Sequence, residues 1–338
     1  MDVGVVGGSG YGGAELLRLL AGHPSFKIRT IGAGRSAGRD LAEVFPHLGM
    51  SGPLAPAHPE AFEGCDVVFL ATPDEVSLEL APALSGGVGL VVDLSAAFRL
   101  DAGVYERTYA RPHTAAALTP APYGLPELFR DGLPGRTLVA GPGCYPTAAL
   151  LALAPLAGLV DPASVVIAGL SGTSGAGRGL RDDLHASHAV GNVSVYGAPS
   201  HRHTPEIEAG WAVLAALDEV APVTFTPHLV PLSRGLHCTV TAMLCDPAAD
   251  VRAACLDRYD AEPFVTVLPP GVWPSTTHLR GGNAAHVGAA VDGRTGRVTV
   301  ACAIDNLGKG AAGQAIQAAN AVLGLPETSG LPIAGVYP

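Results

Sequence analysis

Hydrophobic and polar positions in the first 150 residues alternate between short apolar runs and longer amphipathic stretches. Two stretches have helical periodicity, at residues 14–20 and 75–84. Four runs have the length and composition of strands, at residues 3–6, 26–31, 66–71 and 90–94. Strands that alternate with helices are typical of an α/β fold with a doubly wound parallel sheet. We therefore predict a Rossmann-like N-terminal domain.

The pattern changes near residue 144, where strand-like runs follow one another with few helices between them. These runs lie at residues 164–170, 223–230, 237–244, 263–268, 285–291 and 297–304. Such an arrangement predicts a second, α+β domain with a mixed or antiparallel sheet. A last helix, from about residue 310 to 325, has the length to pack back on the first domain. We expect a first domain of residues 1–146 plus about 309–338, and a second of residues 147–308.

Composition excludes several classes of protein. The chain has 338 residues, 48% of them hydrophobic, and can bury a large core. A net charge of -10 without basic clusters argues against a nucleic-acid partner. Asp2 stands where a signal peptide would carry positive charge, and no apolar run approaches the ~18 residues of a membrane span. We therefore expect no membrane partner and a cytoplasmic location.

The cysteines and histidines do not suggest a metal or a disulfide framework. Six cysteines occur without any paired C-x-x-C spacing, and a chain of this length does not need disulfides to fold. No metal-ligand spacing stands out among the 12 histidines. We predict reduced thiols and no bound metal.

A glycine-rich turn joins the first strand to the first helix, in the run Gly7-Gly8-Ser9-Gly10-Tyr11-Gly12-Gly13. Gly8, Gly10 and Gly13 fit the spacing G-x-G-x-x-G, whereas Gly7, Gly10 and Gly13 fit a regular spacing of three. With either spacing the backbone can approach a pyrophosphate at the N-terminus of a helix. We predict a dinucleotide site here, and the alternative is a tight turn without a ligand.

The end of the second strand indicates which dinucleotide would bind. Units that bind NAD usually carry an acidic residue at this point, whose carboxylate takes the ribose hydroxyls and repels a 2'-phosphate. This chain instead has Arg35 and Ser36, which offer a positive charge and a hydroxyl. The predicted cofactor is NADP(H). The alternative for Arg35 is a solvated loop arginine.

Cys144 follows Gly141-Pro142-Gly143 and comes immediately before the apolar run of residues 148–154. The thiol is thus predicted at the start of a helix, where exposed N–H groups and the helix dipole favour the thiolate. We predict that Cys144 is a nucleophile. The alternative is a small buried hydrophobic residue, which describes most free cysteines.

The densest group of polar side chains in the second domain is the segment of residues 201–207. His201 and His203 flank Arg202, and Glu206 follows three positions later. Thiol chemistry needs a partner that takes the thiol proton and later protonates an oxyanion, and imidazole suits both tasks near neutral pH. One of the histidines is therefore a candidate acid and base. The alternative is a polar surface loop.

Taken together, these motifs resemble the N-acetyl-gamma-glutamyl-phosphate reductases of arginine biosynthesis, which are related to aspartate-semialdehyde dehydrogenases. The resemblance spans nearly the whole chain. It is carried by GYGGAEL at 10–16, DLSAAFRL at 93–100, YGLPEL at 123–128, PGCYPT at 142–147, SGTSGAGR at 171–178, HRHTPEI at 201–207, FTPHLVP at 225–231 and AIDNLGKGAAG at 303–313.

The resemblance implies an NADPH-dependent reduction of an acyl phosphate to an aldehyde, through a thioester on Cys144. It makes the first domain the NADP-binding domain and the second the catalytic and oligomerisation domain. We favour His201 over His203 as acid and base, and we assign Glu206 to orientation. To the cofactor contacts already predicted, residues 7–13, Arg35 and Ser36, the resemblance adds Thr72, Pro73, Ser174, Gly175, Asn306 and Lys309.

An acyl phosphate that also carries a carboxylate needs fixed cations for both anions. The resemblance places Arg99 at the phosphate position of the related dehydrogenases, and Arg202 and Arg234 are candidates for the second anion. The alternative for Arg99 is a salt bridge at a helix start. Ser171 begins a loop whose N–H groups could border the substrate or the nicotinamide.

Three questions stay open at this stage. The substrate could be the one-carbon-longer aminoadipate phosphate of lysine biosynthesis, in some cases on a carrier protein, although the motif at 144–147 is closer to the arginine branch. A protein of another class, a non-catalytic NADPH-binding sensor, would usually lack the nucleophile. An exposed mixed sheet in the second domain favours a homodimer or homotetramer.

Overall fold

A computed structural model describes residues 1–337, which form two compact units. Unit 1 contains Met1–Gly143 and Ala311–Leu331, and unit 2 contains Cys144–Gly310 together with the tail from Pro332. The sequence placed this tail with the first domain. Backbone hydrogen bonds instead tie it to the second unit, from Asn283 N–H to the Pro332 carbonyl and from Val336 N–H to the Arg280 carbonyl.

The part of unit 1 from Met1 to Gly143 contains one sheet and five helices. Its strands are β1 (Asp2–Val6), β2 (Lys27–Ala33), β3 (Ala55–Pro56), β4 (Val67–Leu70), β5 (Leu90–Asp93) and β6 (Leu138–Ala140). Its helices are α1 (Tyr11–Leu20), α2 (Leu41–Val44), α3 (Asp74–Leu84), α4 (Ala102–Tyr109) and α5 (Pro126–Phe129).

The sheet of unit 1 has the strand order β3-β2-β1-β4-β5-β6, and each neighbouring pair is parallel. This order confirms the predicted Rossmann-like fold. Continuous apolar runs form the central strands because both faces are covered, and all four residues of β4 are buried. The strand order reverses between β1 and β4, so their carboxyl ends border the crevice in which such sheets bind ligands.

Unit 2 contains a second sheet and four helices. Its strands are β7 (Val166–Ser171), β8 (Ser194–Val195), β9 (Thr224–Leu229), β10 (Leu236–Met243), β11 (Val265–Val267), β12 (Ala285–Asp292) and β13 (Arg297–Ile304). Its helices are α6 (Cys144–Leu153), α7 (Ala186–Ala189), α8 (Thr204–Leu214) and α9 (Val251–Tyr259).

The sheet of unit 2 has the order β11-β12-β13-β10-β7-β9-β8 and mixes parallel with antiparallel pairs, as predicted. Helix α6 packs on β10 and β13, and α9 packs on β12. Burial therefore alternates strictly along β10, where every second side chain is partly exposed. Those partly exposed side chains are His237, Thr239, Thr241 and Met243.

A final helix, α10 (Gly313–Val322), belongs to unit 1 and packs against α1, α5 and β5. Its polar side chains are buried and form hydrogen bonds. Gln314 donates to the Gly124 carbonyl at 2.8 Å, and Asn320 Oδ1 lies 3.1 Å from Nε2 of the buried His23. The expected return of the C-terminal helix to the N-terminal part is thus observed within this unit. Among residues 1–337, no helix is long and apolar enough to cross a membrane.

Candidate active site

Cys144 is the first residue of helix α6, and its side chain is only partly buried. The helix is buried along its whole remaining length, from Tyr145 to Leu153. A helix anchored in this way holds its N-terminus in a fixed place. The thiol therefore lies at the positive end of the helix dipole, which stabilises negative charge.

The backbone of Gly310 approaches Cys144 closely. A Cβ atom built on Gly310 would lie 2.9 Å from the Cβ atom of Cys144, which is closer than real side chains come. Gly310 belongs to a single π-helical turn at Gly308–Ala312. Glycine at this position therefore leaves room for the cysteine, which explains part of the glycine-rich motif at 303–313.

A cavity of about 410 Å³ opens beside Cys144 within unit 2. This volume suits a small metabolite. Among the residues that line the cavity are His201, Arg202 and His203, so the structure brings the predicted nucleophile and the histidine segment together. The remaining lining residues include Ser171, Gly175, Arg181, Asp183, Ser194, Tyr196, Ser200 and Leu229.

His201 is buried and its hydrogen bonding fixes its tautomer. The backbone N–H of His203 donates to Nδ1 of His201 at 3.1 Å. A nitrogen that accepts a hydrogen bond carries no proton, so the neutral ring holds its proton on Nε2. Burial, with the nearby Arg202 as a second cause, lowers the pKa of His201 to about 4. His201 is therefore a neutral N–H donor at physiological pH.

An aromatic cluster holds this imidazole. The ring centroids of Tyr145 and Tyr196 lie 5.8 and 5.3 Å from that of His201, both edge-on. Tyr196 donates its hydroxyl to Tyr145 at 3.2 Å, and Tyr145 donates to the His228 carbonyl at 3.1 Å. Burial raises the pKa of Tyr145 and raises that of Tyr196 to about 12, so both phenols stay protonated.

His203 and Glu206 lie at the start of helix α8. His203 is buried, and its ring centroid is 4.9 Å from that of His201. Glu206 is buried in the first turn of α8 and does not line the cavity. The assignment of Glu206 to orientation stays a prediction.

The candidate arginines have different surroundings. Arg202 is exposed and lines the cavity, and residues 1–337 give it no hydrogen-bond or ion-pair partner. Arg234 does not line the cavity, and its Nε donates at 2.6 Å to Asp305, which is fully buried. In unit 1, Arg99 donates to the carbonyls of Gly141 and Leu94. Arg202 is the one of these that is placed to meet an anion in the cavity.

Ser171, Ser174, Gly175 and Asn306 come together at the edge of the cavity. Asn306 donates to Ser174 Oγ at 2.9 Å and accepts from Gly235 N–H at 2.7 Å, so it joins the two loops. Asn306 therefore contributes to the cavity indirectly, by joining these two loops. Lys309 is fully buried, with Nζ 5.3 Å from the centroid of the Phe264 ring, and its assignment to the cofactor site stays a prediction.

The glycine turn of unit 1 has little room for a side chain at Gly7 or at Gly8, so its contacts do not single out one of the two spacings. A Cβ on Gly8 would lie 2.3 Å from Cγ2 of Ile31. Gly7 has a φ of +83°, and a Cβ there would lie 2.2 Å from the Ala71 carbonyl oxygen. A Cβ on Gly13 would lie 2.2 Å from the Gly7 carbonyl oxygen, whereas one on Gly10 would meet only an ordinary contact at 3.4 Å. Gly7 thus makes the turn, Gly13 lets the helix approach, and Gly10 leaves open space above the helix start.

The other predicted cofactor residues lie at the carboxyl ends of the strands of unit 1. Arg35 is exposed two residues after β2, next to the partly exposed Ser36. Residues 1–337 give Arg35 no hydrogen-bond or ion-pair partner. The nearest following acid, Asp40, is used as a cap because it accepts from Ala42 N–H at 2.8 Å. Thr72 and Pro73 follow β4 and precede α3.

Sequence reasoning missed the contribution of the long segment between Gly177 and Ser200. This segment supplies Arg181, Asp183 and Tyr196 to the cavity. Arg181 and Asp183 form an ion pair with each other. A long stretch with little regular structure was the available signal, because such loops in compact domains often carry function. Among residues 1–337, no group of His, Cys, Asp or Glu side chains could hold a metal ion.

Comparisons with known proteins cover the whole chain. Residues 2–134 match the family model described as "Semialdehyde dehydrogenase, NAD binding domain". Residues 144–306 match the model described as "Semialdehyde dehydrogenase, dimerisation domain".

Relatives of similar length are reductases by name. The N-acetyl-gamma-glutamyl-phosphate reductase of Pseudarthrobacter chlorophenolicus is 47% identical over 348 residues, covering 100% of this chain and 99% of that protein. The protein of the same name from Mycobacterium avium is 47% identical over 354 residues, again covering 100% and 99%.

Solved structures show the same fold at low identity. Aspartate semialdehyde dehydrogenase II from Vibrio cholerae aligns with a TM-score of 0.74 and 17% identity, over 95% of this chain and 98% of that chain. A probable aspartate-semialdehyde dehydrogenase from Pseudomonas aeruginosa aligns with a TM-score of 0.70 and 21% identity, over 95% and 97%.

Proposed function

Because the chain belongs to the N-acetyl-gamma-glutamyl-phosphate reductase family, we propose that it reduces N-acetyl-gamma-glutamyl phosphate to N-acetylglutamate semialdehyde and releases phosphate. It is an oxidoreductase with a nicotinamide-binding domain, so the alternative of a non-catalytic sensor is not retained. The observation that carries the proposal is Cys144 at a helix N-terminus, on a cavity that is also lined by His201, His203 and Arg202.

The proposed chemistry begins with the Cys144 thiolate. The sulfur attacks the acyl carbon, its electron pair forms the C–S bond, and the acyl–oxygen bond breaks to release phosphate and leave a thioester. When bound, the reduced nicotinamide supplies hydride to the thioester carbon. The oxyanion of the resulting thiohemiacetal re-forms the carbonyl while the C–S bond breaks. This step releases the aldehyde and regenerates the Cys144 thiolate.

The two histidines take different roles in this proposal. His201 presents Nε2–H, because its Nδ1 accepts the backbone N–H of His203. It therefore donates to the oxyanion that forms when the carbonyl carbon is attacked, as an oxyanion hole does. The sequence favoured His201 as the acid and base. The low pKa of His201, lowered to about 4 mainly by burial, makes it a poor base, so we assign removal of the thiol proton to His203.

Arg202 binds the phosphate of the substrate in this proposal. Arg202 lines the cavity beside the histidines, and residues 1–337 give it no ion-pair partner. A planar fork bonds two phosphate oxygens at once and stabilises the charge that grows on the leaving group. Arg99 and Arg234 are less suited, since each already donates to groups of the protein.

We assign NADP(H) as the cofactor because the residues of unit 1 fit it. Gly10 leaves open backbone for a pyrophosphate at the start of α1. Arg35 and Ser36 offer a charge and a hydroxyl to a 2'-phosphate, and the acid typical of NAD sites is absent from residues 32–38.

Two glycine substitutions separate cofactor binding from folding. Gly10→Ala should leave the thermal unfolding midpoint unchanged but weaken NADPH binding about tenfold or more, because its methyl group occupies the space for a phosphate. Gly13→Ala should destabilise the protein by about 1 to 3 kcal/mol, because its methyl group overlaps the backbone of Gly7. Calorimetry and fluorescence titration measure both effects. Unchanged NADPH affinity in Gly10→Ala would exclude the phosphate site at this turn.

Arg35→Ala tests the choice of coenzyme. The KM for NADPH should rise about 10- to 100-fold, because a charge-assisted contact to the 2'-phosphate is lost, while the KM for NADH stays near its original value. The matched control is Arg39→Ala on the same loop, since Arg39 pairs with Glu43 at 3.4 Å. An Arg35→Ala enzyme that keeps its preference for NADPH would rule out this assignment.

Substrate identity is tested by steady-state kinetics with two acyl phosphates. One methylene contributes about 1 to 3 kcal/mol in a pocket, so the enzyme should show a kcat/KM at least several-fold higher for N-acetyl-gamma-glutamyl phosphate than for the aminoadipate homologue. The relatives' names support this order. A higher value with the longer substrate, free or on a carrier protein, would instead support the lysine-branch alternative.

We also propose that the chain forms a homodimer or homotetramer through unit 2. Helices α6 and α9 cover one face of its sheet, while alternate residues of β10 on the other face are partly exposed. The description of the matching family model supports this assignment. Light scattering gives the mass directly, and a monomer at micromolar concentration would refute the proposed oligomer.

We also propose a cytoplasmic location, because the nucleophilic thiol must stay reduced.

A further inference from the structure

An arginine on the long segment between Gly177 and Ser200 lines the same cavity as Cys144. Arg181 binds Asp183 through two hydrogen bonds, from Nε to Oδ1 at 2.9 Å and from Nη2 to Oδ2. Residues 1–337 give Arg181 no further hydrogen-bond or ion-pair partner. A guanidinium group has five N–H donors, and because Asp183 takes two of them, three remain on Nη1 and Nη2. This end of the planar fork can bind a second carboxylate through two hydrogen bonds.

The ion pair between Arg181 and Asp183 is not needed to hold the fold. The two side chains are about half exposed, at 51% and 49%. Ion pairs that are this accessible to water contribute little to stability. Replacement of Arg181 should therefore change what the cavity binds without unfolding the protein.

The fixed positive charges on the cavity wall match the anionic groups of the proposed substrate. Among the described residues that line the cavity, two carry a fixed positive charge, Arg181 and Arg202. N-acetyl-gamma-glutamyl phosphate has an acyl phosphate at one end and an α-carboxylate at the other. Arg202 adjoins His201 and His203, which the proposed mechanism places at the reacting carbon, and the phosphate is attached to that carbon. Arg181 comes from a different segment and is left for the carboxylate.

We propose that Arg181 binds the α-carboxylate of the substrate and so selects acyl groups that carry an anion beyond the reacting carbonyl. This inference rests on the proposed function. Phosphate leaves in the first step, whereas the α-carboxylate stays on the acyl group until the aldehyde is released. Because the contact to Arg181 is made equally before and during the reaction, it lowers KM rather than raising kcat.

Substrate discrimination in the reverse, phosphate-dependent reaction tests the inference with the full-length protein. The two aldehydes are N-acetylglutamate semialdehyde and gamma-acetamidobutyraldehyde, which has a hydrogen in place of the α-carboxylate. Each is oxidised with NADP+ and inorganic phosphate, and the absorbance of NADPH gives the rate. The quantity compared is the ratio of the two kcat/KM values.

The wild-type protein should prefer the carboxylated aldehyde about 12- to 150-fold, the usual effect of a hydrogen bond to a charged group. In Arg181→Ala this ratio should fall to less than about threefold, because KM for the carboxylated aldehyde rises while kcat/KM for the other aldehyde stays within about twofold. Arg181→Lys should show an intermediate ratio, since lysine keeps the charge and loses the fork.

Two further variants separate this role from general effects. Arg294→Ala is the matched control, because Arg294 also pairs with an aspartate two residues away, Asp292 at 2.8 Å, and does not line the cavity. It should leave both kcat/KM values within about twofold of the wild type. Arg202→Ala should raise the KM for inorganic phosphate and keep the ratio between the aldehydes, because Arg202 is assigned to the phosphate.

Three results would overturn the inference. Equal use of the two aldehydes by the wild type would show that the cavity does not read the α-carboxylate. A wild-type ratio in Arg181→Ala would place the carboxylate elsewhere, and loss of the ratio in Arg202→Ala would exchange the roles of the two arginines. A wild-type protein that oxidises neither aldehyde would instead refute the proposed function itself, so the two failures are distinguishable.

Discussion

Replacing Cys144 with serine should lower kcat about 1,000-fold or more while leaving the dissociation constant for NADPH unchanged. A serine hydroxyl at the start of α6 stays protonated at neutral pH, because the positive helix terminus cannot lower its pKa far enough. The covalent step is therefore lost. NADPH binding is retained because the proposed cofactor residues of unit 1 are untouched. Stopped-flow absorbance at saturating substrate measures the rate, and fluorescence titration measures the affinity.

Cys245→Ser is the matched control for this experiment. Cys245 is exposed and does not line the cavity beside Cys144. Its replacement should leave kcat within about twofold of the wild type, as surface substitutions usually do. Should Cys144→Ser retain a kcat near the wild-type value, the thioester mechanism would be wrong.

The second large effect concerns His201. His201→Ala should lower kcat about 100- to 1,000-fold, the usual loss when one oxyanion donor is removed. His201→Gln should retain more activity than the alanine variant, because its terminal amide also carries an N–H. Both should lower kcat with little change in KM, since the hydrogen bond strengthens only as the oxyanion forms. His58→Gln, at an exposed loop position, serves as the control.

The pH dependence distinguishes a donor from a base. The pKa of His201 is lowered to about 4, mainly by burial, so the ring is neutral above about pH 5 and its donor role persists from there upward. Protonation of the ring leaves Nε2–H in place, so the titration of His201 should not lower kcat at any pH above about 5. Any decrease of kcat near pH 6.5 belongs to another group and should remain in His201→Gln. Disappearance of a limb between pH 6 and 7 in that variant would identify His201 as the base after all.

Local patterns were sufficient to predict the two sheets and the glycine turn. Strands β1, β4 and β5 are continuous apolar runs, and the residues that make the turn are adjacent in sequence. Strands β3 and β8 have two residues each, too few to produce a periodic signal. Helices α8 and α9 were not predicted. The apolar residues of α8 are spread around the helix, and those of α9 are separated by polar residues.

The residue types of the site could be predicted from the sequence, whereas most contacts between those residues could not. Cys144 and His201 line one cavity although they are 57 positions apart, and only the need for a base and the family resemblance joined them at the level of sequence. Arg234 was a reasonable candidate until its partner Asp305, 71 residues later, was known. The tautomer of His201 depends on one backbone N–H, a contact that no spacing rule specifies.

The most direct test of the account is a search for the acyl-enzyme. Wild-type protein is mixed with N-acetyl-gamma-glutamyl phosphate in the absence of NADPH, quenched in acid within milliseconds and analysed by intact and peptide mass spectrometry. The account predicts one acyl group per chain, on the peptide that contains Cys144, removable by hydroxylamine and lost when NADPH is added before the quench. Turnover with NADPH but no adduct on Cys144, or an adduct on another residue, would contradict it.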